Sequence, residues 1–581
     1  MIHSCMQKYG AALVSLGLAL FLLWGMLAPG YILSYDMIWT PELSFGWSVD
    51  TPNNTFLLRV FLYGLSVLLP AWLVQKLLLI VLFFLLFFVP YRFLPFISGV
   101  APRAFAAGVY ALNPFVYSRL LAGQWFHLLG YALLPLLLAT LLPLSARPNW
   151  RGALRLVLVL TGIGLCSVHF LYLAVMVSVF WLSAGSIRSW YRGETREARN
   201  SIRVLIMAIL GFIVVNAYWI MPAFARIAPL EARFDETHFA AFAAAANGTV
   251  PVMVNVAALG GFWGEDLVWG YYFAWPQRET GFWIAATCIG LAIVGGIGQL
   301  LRKRETRFSA ALLLILGGAA YVAALGVAET PFRSLNMLLY EHIPFWNGLR
   351  DSHKIVGLLA LSYAVFAGAG VDALLSWVRR RNVGLESFLA IVILVVPVMY
   401  GSHLWGGARG QLAPVWYPDA WFEAKVMIDA LPSNANVLVL PWHMYFSLDF
   451  AANRITANPT SVFFGPEHII AGRSVEIGQI YDQEIDPEYR GLDWFIRTAE
   501  ALPREALVAG LRERGITHIL IVANPAVPYS ERGLTQWTEY STEIGHLPGP
   551  DSGKNWEDML AESAVPTLST PTLKMLKMLD K

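Results

Sequence analysis

Residues 34–55 read SYDMIWTPELSFGWSVDTPNNT, an acidic and aromatic segment between two long apolar stretches. The stretch before it runs from about Ala11 to Leu33, and the next long one runs from Trp72 to Val89. A helix needs about 20 consecutive apolar residues to span a bilayer. The pattern therefore predicts a retained first span, a polar segment at the membrane edge, and a further span.

The composition agrees with a membrane protein. The 581 residues are 57% hydrophobic and only 14% charged, whereas soluble proteins have roughly 25% charged residues. A net charge of +2 offers no electrostatic reason to expect a nucleic-acid partner. Cys5, Cys166 and Cys288 have no spacing typical of a metal site or a disulfide framework. We therefore expect a polytopic α-helical protein whose partner is the lipid bilayer.

The apolar runs predict about eleven transmembrane helices. A shorter apolar run, 55–69, contains Arg59 and is predicted to lie at the membrane interface, with a re-entrant segment as the alternative. The predicted spans are 11–33, 72–89, 103–117, 126–143, 154–168, 170–187, 201–222, 281–301, 309–325, 355–378 and 388–404.

Basic clusters predict the orientation of these spans. With a cytoplasmic N-terminus, every cluster falls on the cytoplasmic side of a plasma or inner membrane, as the positive-inside rule requires. The same orientation places loops 34–71, 118–125, 223–280 and 326–354 outside the cytoplasm, together with everything after residue 405. The clusters are Arg147, Arg151 and Arg155; Arg188, Arg192, Arg196 and Arg199; Arg302, Lys303, Arg304 and Arg307; and Arg379, Arg380 and Arg381.

The composition changes at about residue 406. NVLVLP at 436–441 and THILIV at 517–522 are typical of buried strands, and residues 492–501 and 504–514 are predicted helices separated by Pro503. We therefore expect a transmembrane domain at 1–405 and an extracytoplasmic α/β domain at 406–545. Residues 546–581 are predicted to be a polar, poorly ordered tail.

Charged and hydrogen-bonding residues flanked by aromatics occur in each predicted external loop. For any one loop, a solvated loop or an interface anchor explains them as well as function does. Together, an acid, several cations and aromatic rings on one side favour a pocket for an anionic, lipid-linked substrate. The candidates are Asp36, Trp39, Glu42 and Asp50; Arg119, Gln124 and His127; Glu236 and His238; and Arg350, Asp351, His353 and Lys354.

Three patches resemble one known group of proteins. They are YDMIWTPELS at 35–44, NPFVYSRLLAGQWFHLLGYALLP at 113–135 and FWNGLRDSHKIVGLLALSYAVFAGAGVDALL at 345–375. They are similar to membrane glycosyltransferases that use polyprenyl-phosphate sugars and have the GT-C fold. Within that group they most resemble arabinofuranosyltransferase-like and YfhO-like membrane proteins. The layout is similar over about residues 10–405, which implies a GT-C-like architecture.

The resemblance also implies roles for the candidates. A carboxylate in the first external loop acts as base or binds the acceptor, and the matching residue is Asp36, with Glu42 as the next acid. Such enzymes often show two adjacent acids there, whereas Tyr35 precedes Asp36. Because of this departure, the sequence does not decide whether two carboxylates act together or whether the enzyme uses a divalent cation, Mg²⁺ or Mn²⁺. Because the departing polyprenyl phosphate needs cations near its oxygens, the candidate phosphate ligands are Arg119, His127, Arg350 and Lys354. The candidate acceptor or sugar ligands are Asp50, Trp39, Gln124, Glu236, His238, Asp351 and His353.

These features predict an inverting glycosyltransferase of the cell envelope. It would transfer a sugar from a polyprenyl-phosphate donor to an extracytoplasmic glycan, lipid or protein acceptor, with Asp36 as general base. Two alternatives stay open. A transporter or flippase of lipid-linked glycans would contain buried mid-span ionisable residues and inverted repeats. A non-catalytic membrane partner would use the external domain for binding only.

Overall fold

The computed structural model describes residues 2–43, 53–231, 234–266, 273, 276–451, 454–473, 475–477, 480–482, 487–499, 502–522 and 556–579. The chain divides into two units. The first unit contains Met1–Leu27, Gly46–Gly64 and Lys76–Gln411. The second contains Ala28–Phe45, Leu65–Gln75 and Leu412–Lys581. The loop with Asp36 thus belongs to the same unit as the C-terminal residues.

Long apolar helices dominate the chain up to residue 411. Nine helical stretches in the described part are long and apolar enough to cross a membrane, and the chain is an integral membrane protein. The α-helices are Ile2–Leu23, Phe56–Leu68, Ala71–Phe93, Val100–Ala111, Pro114–Leu121, Trp125–Ala132, Leu134–Ala146, Trp150–Cys166, Val168–Tyr191, Thr195–Glu231, Glu236–Ala241, Val252–Ala257, Thr280–Arg302, Arg307–Ala324, Arg333–His342, Val356–Arg379 and Val383–Tyr400.

Nine of the predicted spans correspond to these long stretches. The other two, predicted at 103–117 and 154–168, are shorter: Val100–Ala111 followed by Pro114–Leu121, and Trp150–Cys166. The count of about eleven spans therefore stays a prediction. The apolar run at 55–69 is helical over Phe56–Leu68, and its position at the membrane interface also stays a prediction.

Residues that end or cap a helix account for two differences from the predicted spans. The first helical stretch ends at Met26 rather than Leu33. Pro29 cannot donate a helical hydrogen bond, and Gly30 has a φ of 119°, so the helix does not continue. The predicted span 103–117 is interrupted at Asn113, whose side chain caps the next helix by accepting from the Val116 N–H at 3.0 Å.

Two glycines allow helices Thr280–Arg302 and Val356–Arg379 to pack closely. A Cβ on Gly296 would lie 1.8 Å from the Phe366 carbonyl oxygen, and one on Gly370 would lie 1.9 Å from the Ala292 carbonyl oxygen. Small residues at such contacts bring helix backbones together in membranes. These two helices, with their neighbours Val100–Ala111 and Val383–Tyr400, share a buried hydrophobic core.

The second unit contains an α/β domain. Its strands are β1 Asn436–Leu440, β2 Tyr445–Leu448, β3 Arg454–Ala457, β4 Ile469–Ile470, β5 Val475–Ile477, β6 Ile480–Asp482, β7 Ile516–Val522, β8 Ala564–Ser569 and β9 Leu573–Met578. Five of them form one sheet in the order β4-β1-β7-β9-β8. Strand β1 pairs in parallel with β4 and β7, whereas β9 is antiparallel to β7 and β8. The helices are Asp419–Asp429, Thr460–Phe464, Pro487–Thr498, Arg504–Glu513 and Trp556–Leu560.

The predicted strands at 436–441 and 517–522 are confirmed as β1 and β7, and both predicted helices are present. The tail differs from its prediction. It was expected to be poorly ordered, but its described part forms a short helix and strands β8 and β9. Leu573, Met575 and Leu576 are buried, and β9 pairs with β7, so the tail completes one side of the sheet.

Gly370→Ala should weaken the packing of the two closest helices. The added methyl group would overlap the Ala292 carbonyl oxygen, and overpacking typically costs about 1–3 kcal/mol. We expect a lower midpoint of thermal unfolding in detergent. The matched control is Gly290→Ala, because a Cβ at Gly290 meets nothing within 4 Å. Equal midpoints for the two variants would contradict the close approach.

Candidate functional site

A buried ion pair between Arg119 and Asp351 lies at the centre of the polar residues of the first unit. The two guanidinium nitrogens Nη1 and Nη2 donate to Asp351 Oδ2 and Oδ1 at 2.5 and 2.8 Å. Arg119 is 0% exposed and Asp351 is 5% exposed. Such a bidentate pair is both strong and geometrically specific.

The pair joins two distant segments of the chain. Arg119 lies in the last turn of helix Pro114–Leu121, and Asp351 precedes the 3₁₀ turn Ser352–Ile355. Burial alone would raise the pKa of the Asp351 carboxyl, but the Arg119 guanidinium outweighs burial and holds this pKa well below its usual range. Asp351 is therefore ionised at neutral pH.

Three further groups contact the Arg119 guanidinium. Nη1 also donates to Gln124 Oε1 at 2.7 Å, and Nη2 lies 2.9 Å from His353 Nδ1. The Phe262 ring centroid is 4.9 Å from the guanidinium carbon. The structure thus brings together Arg119, Gln124, Asp351 and His353, four of the predicted site residues. It also shows that the two terminal nitrogens of Arg119, Nη1 and Nη2, already have protein partners.

A second group of cations and histidines adjoins this pair. Lys354 Nζ lies 3.0 Å from His169 Nε2 and 3.9 Å from Asp351 Oδ2. The His127 and His169 ring centroids are 5.8 Å apart, and His127 Nδ1 lies 2.9 Å from Ser167 Oγ. Because lysine has no acceptor, its ammonium is the donor to the imidazole nitrogen.

Glu265 organises the loop that carries Phe262. Its buried carboxylate accepts from the side-chain amides of Asn247 and Asn255 at 3.0 and 2.7 Å, and from the backbone N–H groups of Gly261 and Phe262, both at 3.0 Å. Burial raises the pKa of Glu265 to about 7, although these hydrogen bonds oppose the rise. The carboxylate thereby positions the Phe262 ring that packs on Arg119.

The remaining predicted residues of the first unit have other partners. The Arg350 guanidinium carbon lies 4.3 Å from the centroid of the Phe234 ring. Glu236 pairs with Arg333 at 2.6 Å. His238 forms a capping box with Asp235, with 2.7 Å between Nδ1 and Oδ1. A capping role explains His238 without a substrate.

Asp36 lies in the second unit, at the tip of a tight turn. The Met37 N–H donates to the Ser34 carbonyl at 2.8 Å, and the Ser34 N–H donates to the Met37 carbonyl at 3.2 Å. Tyr35 has a φ of 41°, a strained value for a residue other than glycine. Asp36 is exposed, whereas Ser34 and Met37 are buried. The turn therefore presents one carboxylate to the exterior.

A strand hairpin of the second unit holds this turn. The Tyr35 N–H donates to the Ile455 carbonyl at 3.0 Å, and the Ala457 N–H donates to the Tyr35 carbonyl at 2.8 Å. The Tyr445 hydroxyl donates to Asp36 Oδ1 at 2.6 Å. Both the backbone and the side chain of the turn are thus bound by β2 and β3.

The other candidates of the first loop differ in exposure. Trp39 is 4% exposed and its ring N–H donates to the Ala71 carbonyl at 2.8 Å, so little of its ring surface remains for a sugar. Glu42 is exposed, with Oε2 at 3.9 Å from Lys425 Nζ. Asp50 lies outside the described residues. Among the residues that the structure describes, no group of three or more His, Cys, Asp and Glu could hold a metal ion.

Three residues of these clusters were not among the predicted site residues: His169, Glu265 and Tyr445. Glu265 follows a glycine-rich aromatic stretch, GGFWGED, and this unusual setting was a usable signal. His169 stands in a polar break between two apolar runs. Tyr445 carries no local signal, because its partner Asp36 is 409 residues away.

Asp351→Asn should strongly destabilise the first unit. It leaves the Arg119 charge buried without a carboxylate, and breaking a buried pair in this way costs about 3–5 kcal/mol. We expect a large drop in the thermal midpoint of the detergent-solubilised protein. The control is Glu329→Gln, which removes an 87% exposed partner of Arg333 and should change little. Similar small effects for both variants would show that the Arg119–Asp351 pair is not important for stability.

Glu265 should make stability depend on pH. Its pKa rises on folding from 4.5 to about 7, so the folded chain binds the proton more tightly than the unfolded chain. The free energy of unfolding should therefore fall as pH increases from about 4.5 to 7 and then level off. Thermal midpoints across this range test the slope, which Glu265→Gln should reduce. Glu513→Gln, at an 82% exposed side chain, should leave the slope unchanged, and an unaltered slope in Glu265→Gln would refute the assignment.

Comparison by sequence identifies no relative: no family model matches the chain, and no curated protein matches it. Solved structures do match. Arabinofuranosyltransferase AftD from Mycobacteria matches over 98% of this chain with a TM-score of 0.60 and 17% identity. This chain spans only 41% of the AftD chain.

A second match is the archaeal oligosaccharyltransferase AglB from Archaeoglobus fulgidus, determined with an inhibitory peptide and a dolichol-phosphate. It covers 93% of this chain and 72% of its own length, with a TM-score of 0.51 and 10% identity. Both neighbours are membrane glycosyltransferases of the GT-C type. At these low identities the likeness concerns the fold, and the GT-C fold predicted from the three sequence patches is confirmed.

Proposed function

We propose that this protein is a membrane glycosyltransferase that transfers a sugar from a polyprenyl-phosphate donor to a hydroxyl acceptor. The observation that carries the proposal is the fold, which matches two membrane glycosyltransferases over 98% and 93% of the chain. One of these, AglB, was determined with a dolichol-phosphate, and this lipid belongs to the chemical class of the lipid carrier in the proposed donor. We further propose an extracytoplasmic reaction, following the positive-inside assignment.

Asp36 is the proposed general base. A base must reach the proton that it removes, and Asp36 is exposed at the tip of a turn in which the N–H and the carbonyl of Tyr35 are both hydrogen-bonded. The acids Asp351 and Glu265 are buried and already accept several hydrogen bonds. They support the architecture of the first unit and are poor candidates for contact with an incoming acceptor.

In the proposed reaction an acceptor hydroxyl oxygen attacks the anomeric carbon of the donor sugar. Its proton passes to the Asp36 carboxylate. The bond between the anomeric carbon and the phosphate oxygen breaks, and polyprenyl phosphate leaves with the electron pair. A single displacement of this kind inverts the anomeric centre. The acceptor is a glycan, lipid or protein.

The leaving phosphate requires positive charge near its oxygens. In the first unit, Lys354 is a candidate, because its ammonium lies 3.0 Å from His169 Nε2 and 3.9 Å from Asp351 Oδ2. The charge of Arg119 is compensated by Asp351. We therefore propose that Arg119 positions His353 and Gln124. It is a weaker candidate for a phosphate ligand than Lys354. His127 and Arg350 stay in the proposal as neighbouring groups.

The proposed reaction contains no step through a metal ion. Mg²⁺ or Mn²⁺ stays an open part of the proposal, because Mg²⁺ can be bound by one or two carboxylates together with substrate phosphates. The described residues contain no group of three or more His, Cys, Asp and Glu that could hold a metal ion.

Asp36→Asn should abolish sugar transfer. Loss of a general base costs typically about 10²–10⁴-fold in rate. The measurement is release of polyprenyl phosphate from a radiolabelled polyprenyl-phosphate sugar by the purified protein. The control is Asp429→Asn, which removes a half-exposed acid of the same unit that pairs with Lys425.

Full transfer by Asp36→Asn would remove Asp36 from the catalytic role. Movement of a lipid-linked glycan across vesicles by the wild-type protein, without a new glycosidic bond, would replace the proposal by the transporter alternative.

A further inference from the structure

We infer that Tyr445 is a positioning residue for the catalytic carboxylate, and this inference rests on the proposed function of Asp36. The Tyr445 hydroxyl donates to Asp36 Oδ1 at 2.6 Å. Both residues belong to the second unit. The contact makes the C-terminal domain a part of the catalytic apparatus, rather than only a surface for the acceptor.

The hairpin geometry brings this contact about. In the register of β2 and β3, Tyr445 lies directly opposite Ala457. The Ala457 N–H donates to the Tyr35 carbonyl, and the Ile455 carbonyl accepts from the Tyr35 N–H. One short hairpin therefore binds the backbone of the turn through β3 and its carboxylate through β2. The orientation of the carboxylate is set by the hairpin at two independent points.

The hydroxyl is suited to this role. Burial and the negative charge of Asp36 raise the pKa of Tyr445 well above its ordinary value, so the hydroxyl stays protonated and donates. A hydrogen bond to an ionised carboxylate is stronger than one between neutral groups. It fixes the rotation of the Asp36 side chain at an exposed position, where an unrestrained carboxylate would sample several rotamers.

Fixing that rotation has a kinetic consequence. A base contributes fully only when it is held in reach of the acceptor proton, and a small misplacement lowers the rate strongly. Loss of the Tyr445 hydroxyl should therefore lower kcat. It should leave KM for the donor nearly unchanged, because the hydroxyl binds the base rather than the lipid phosphate. We expect a fall in kcat of about 10- to 150-fold, which corresponds to the loss of one hydrogen bond to a charged group.

The test is Tyr445→Phe in the full-length protein, assayed with a radiolabelled polyprenyl-phosphate sugar. The variant keeps the ring and removes one oxygen. The matched control is Tyr489→Phe, which removes a hydroxyl of the same unit that accepts from the Arg473 N–H. Hydrogen exchange at the Tyr35 and Ala457 amides reports the backbone of the turn separately from activity.

A lower kcat with unchanged donor KM, unchanged amide exchange and a normal Tyr489→Phe would support the inference. In addition, Tyr445→Phe should have little further effect on the residual rate of Asp36→Asn, because residues that act through one another are not additive. Faster exchange of the Tyr35 amide in Tyr445→Phe would assign the hydroxyl a structural role and overturn the inference.

The two proposals fail in distinguishable ways. If the wild-type protein releases polyprenyl phosphate, Asp36→Asn does not, and Tyr445→Phe has full kcat, then the positioning role is wrong and the proposed function stands. If the wild-type protein releases none, both proposals fall together.

Discussion

The first unit depends on one buried ion pair. Arg119 and Asp351 are almost completely removed from solvent, and each charge would be costly there without the other. The pair therefore fixes the end of helix Pro114–Leu121 against the segment before helix Val356–Arg379. His353 and Gln124 bond to the same guanidinium, and Phe262 packs on it. The geometry of the whole polar cluster follows from keeping this charge compensated.

In the second unit, hydrogen bonds to backbone N–H and C=O groups hold the loop after the first helix in place. A loop segment that leaves buried N–H and C=O groups unpaired is costly. Tyr31 exchanges backbone hydrogen bonds with Val415, at 2.7 and 2.9 Å, and Tyr35 bonds to the hairpin. The Gln75 side chain satisfies both the N–H and the carbonyl of Ile32, at 2.8 and 2.9 Å. The loop after the first helix is thereby built into the C-terminal domain, which explains how a loop can present one carboxylate in a defined place.

Sequence reasoning predicted the features that depend on local composition. Membrane spans can be recognised in the sequence because each needs about 20 apolar residues. Strands β1 and β7 can be recognised because buried strands are short runs of Val, Ile and Leu. It failed where partners decide the structure. The tail strand β9 is stable because it pairs with β7. The sequence of β9, LKMLKM, does not by itself predict this pairing. Likewise, Arg119 and Asp351 were both candidates, but their pairing across 232 residues is a property of the fold.

Burial distinguishes Asp351 and Glu265 from Asp36. The carboxylates of Asp351 and Glu265 accept hydrogen bonds from a guanidinium, from side-chain amides and from backbone N–H groups. They therefore stabilise the fold of the first unit. Asp36 differs because it stays exposed, although the neighbouring backbone of its turn is hydrogen-bonded and Oδ1 accepts from the Tyr445 hydroxyl. A catalytic base needs both properties, since it must be fixed before the substrate arrives and yet be reachable by it. For the proposed role of Asp36, the restraint comes from β2 and β3, and that proposal makes the C-terminal residues as relevant to the chemistry as the loop that carries the acid.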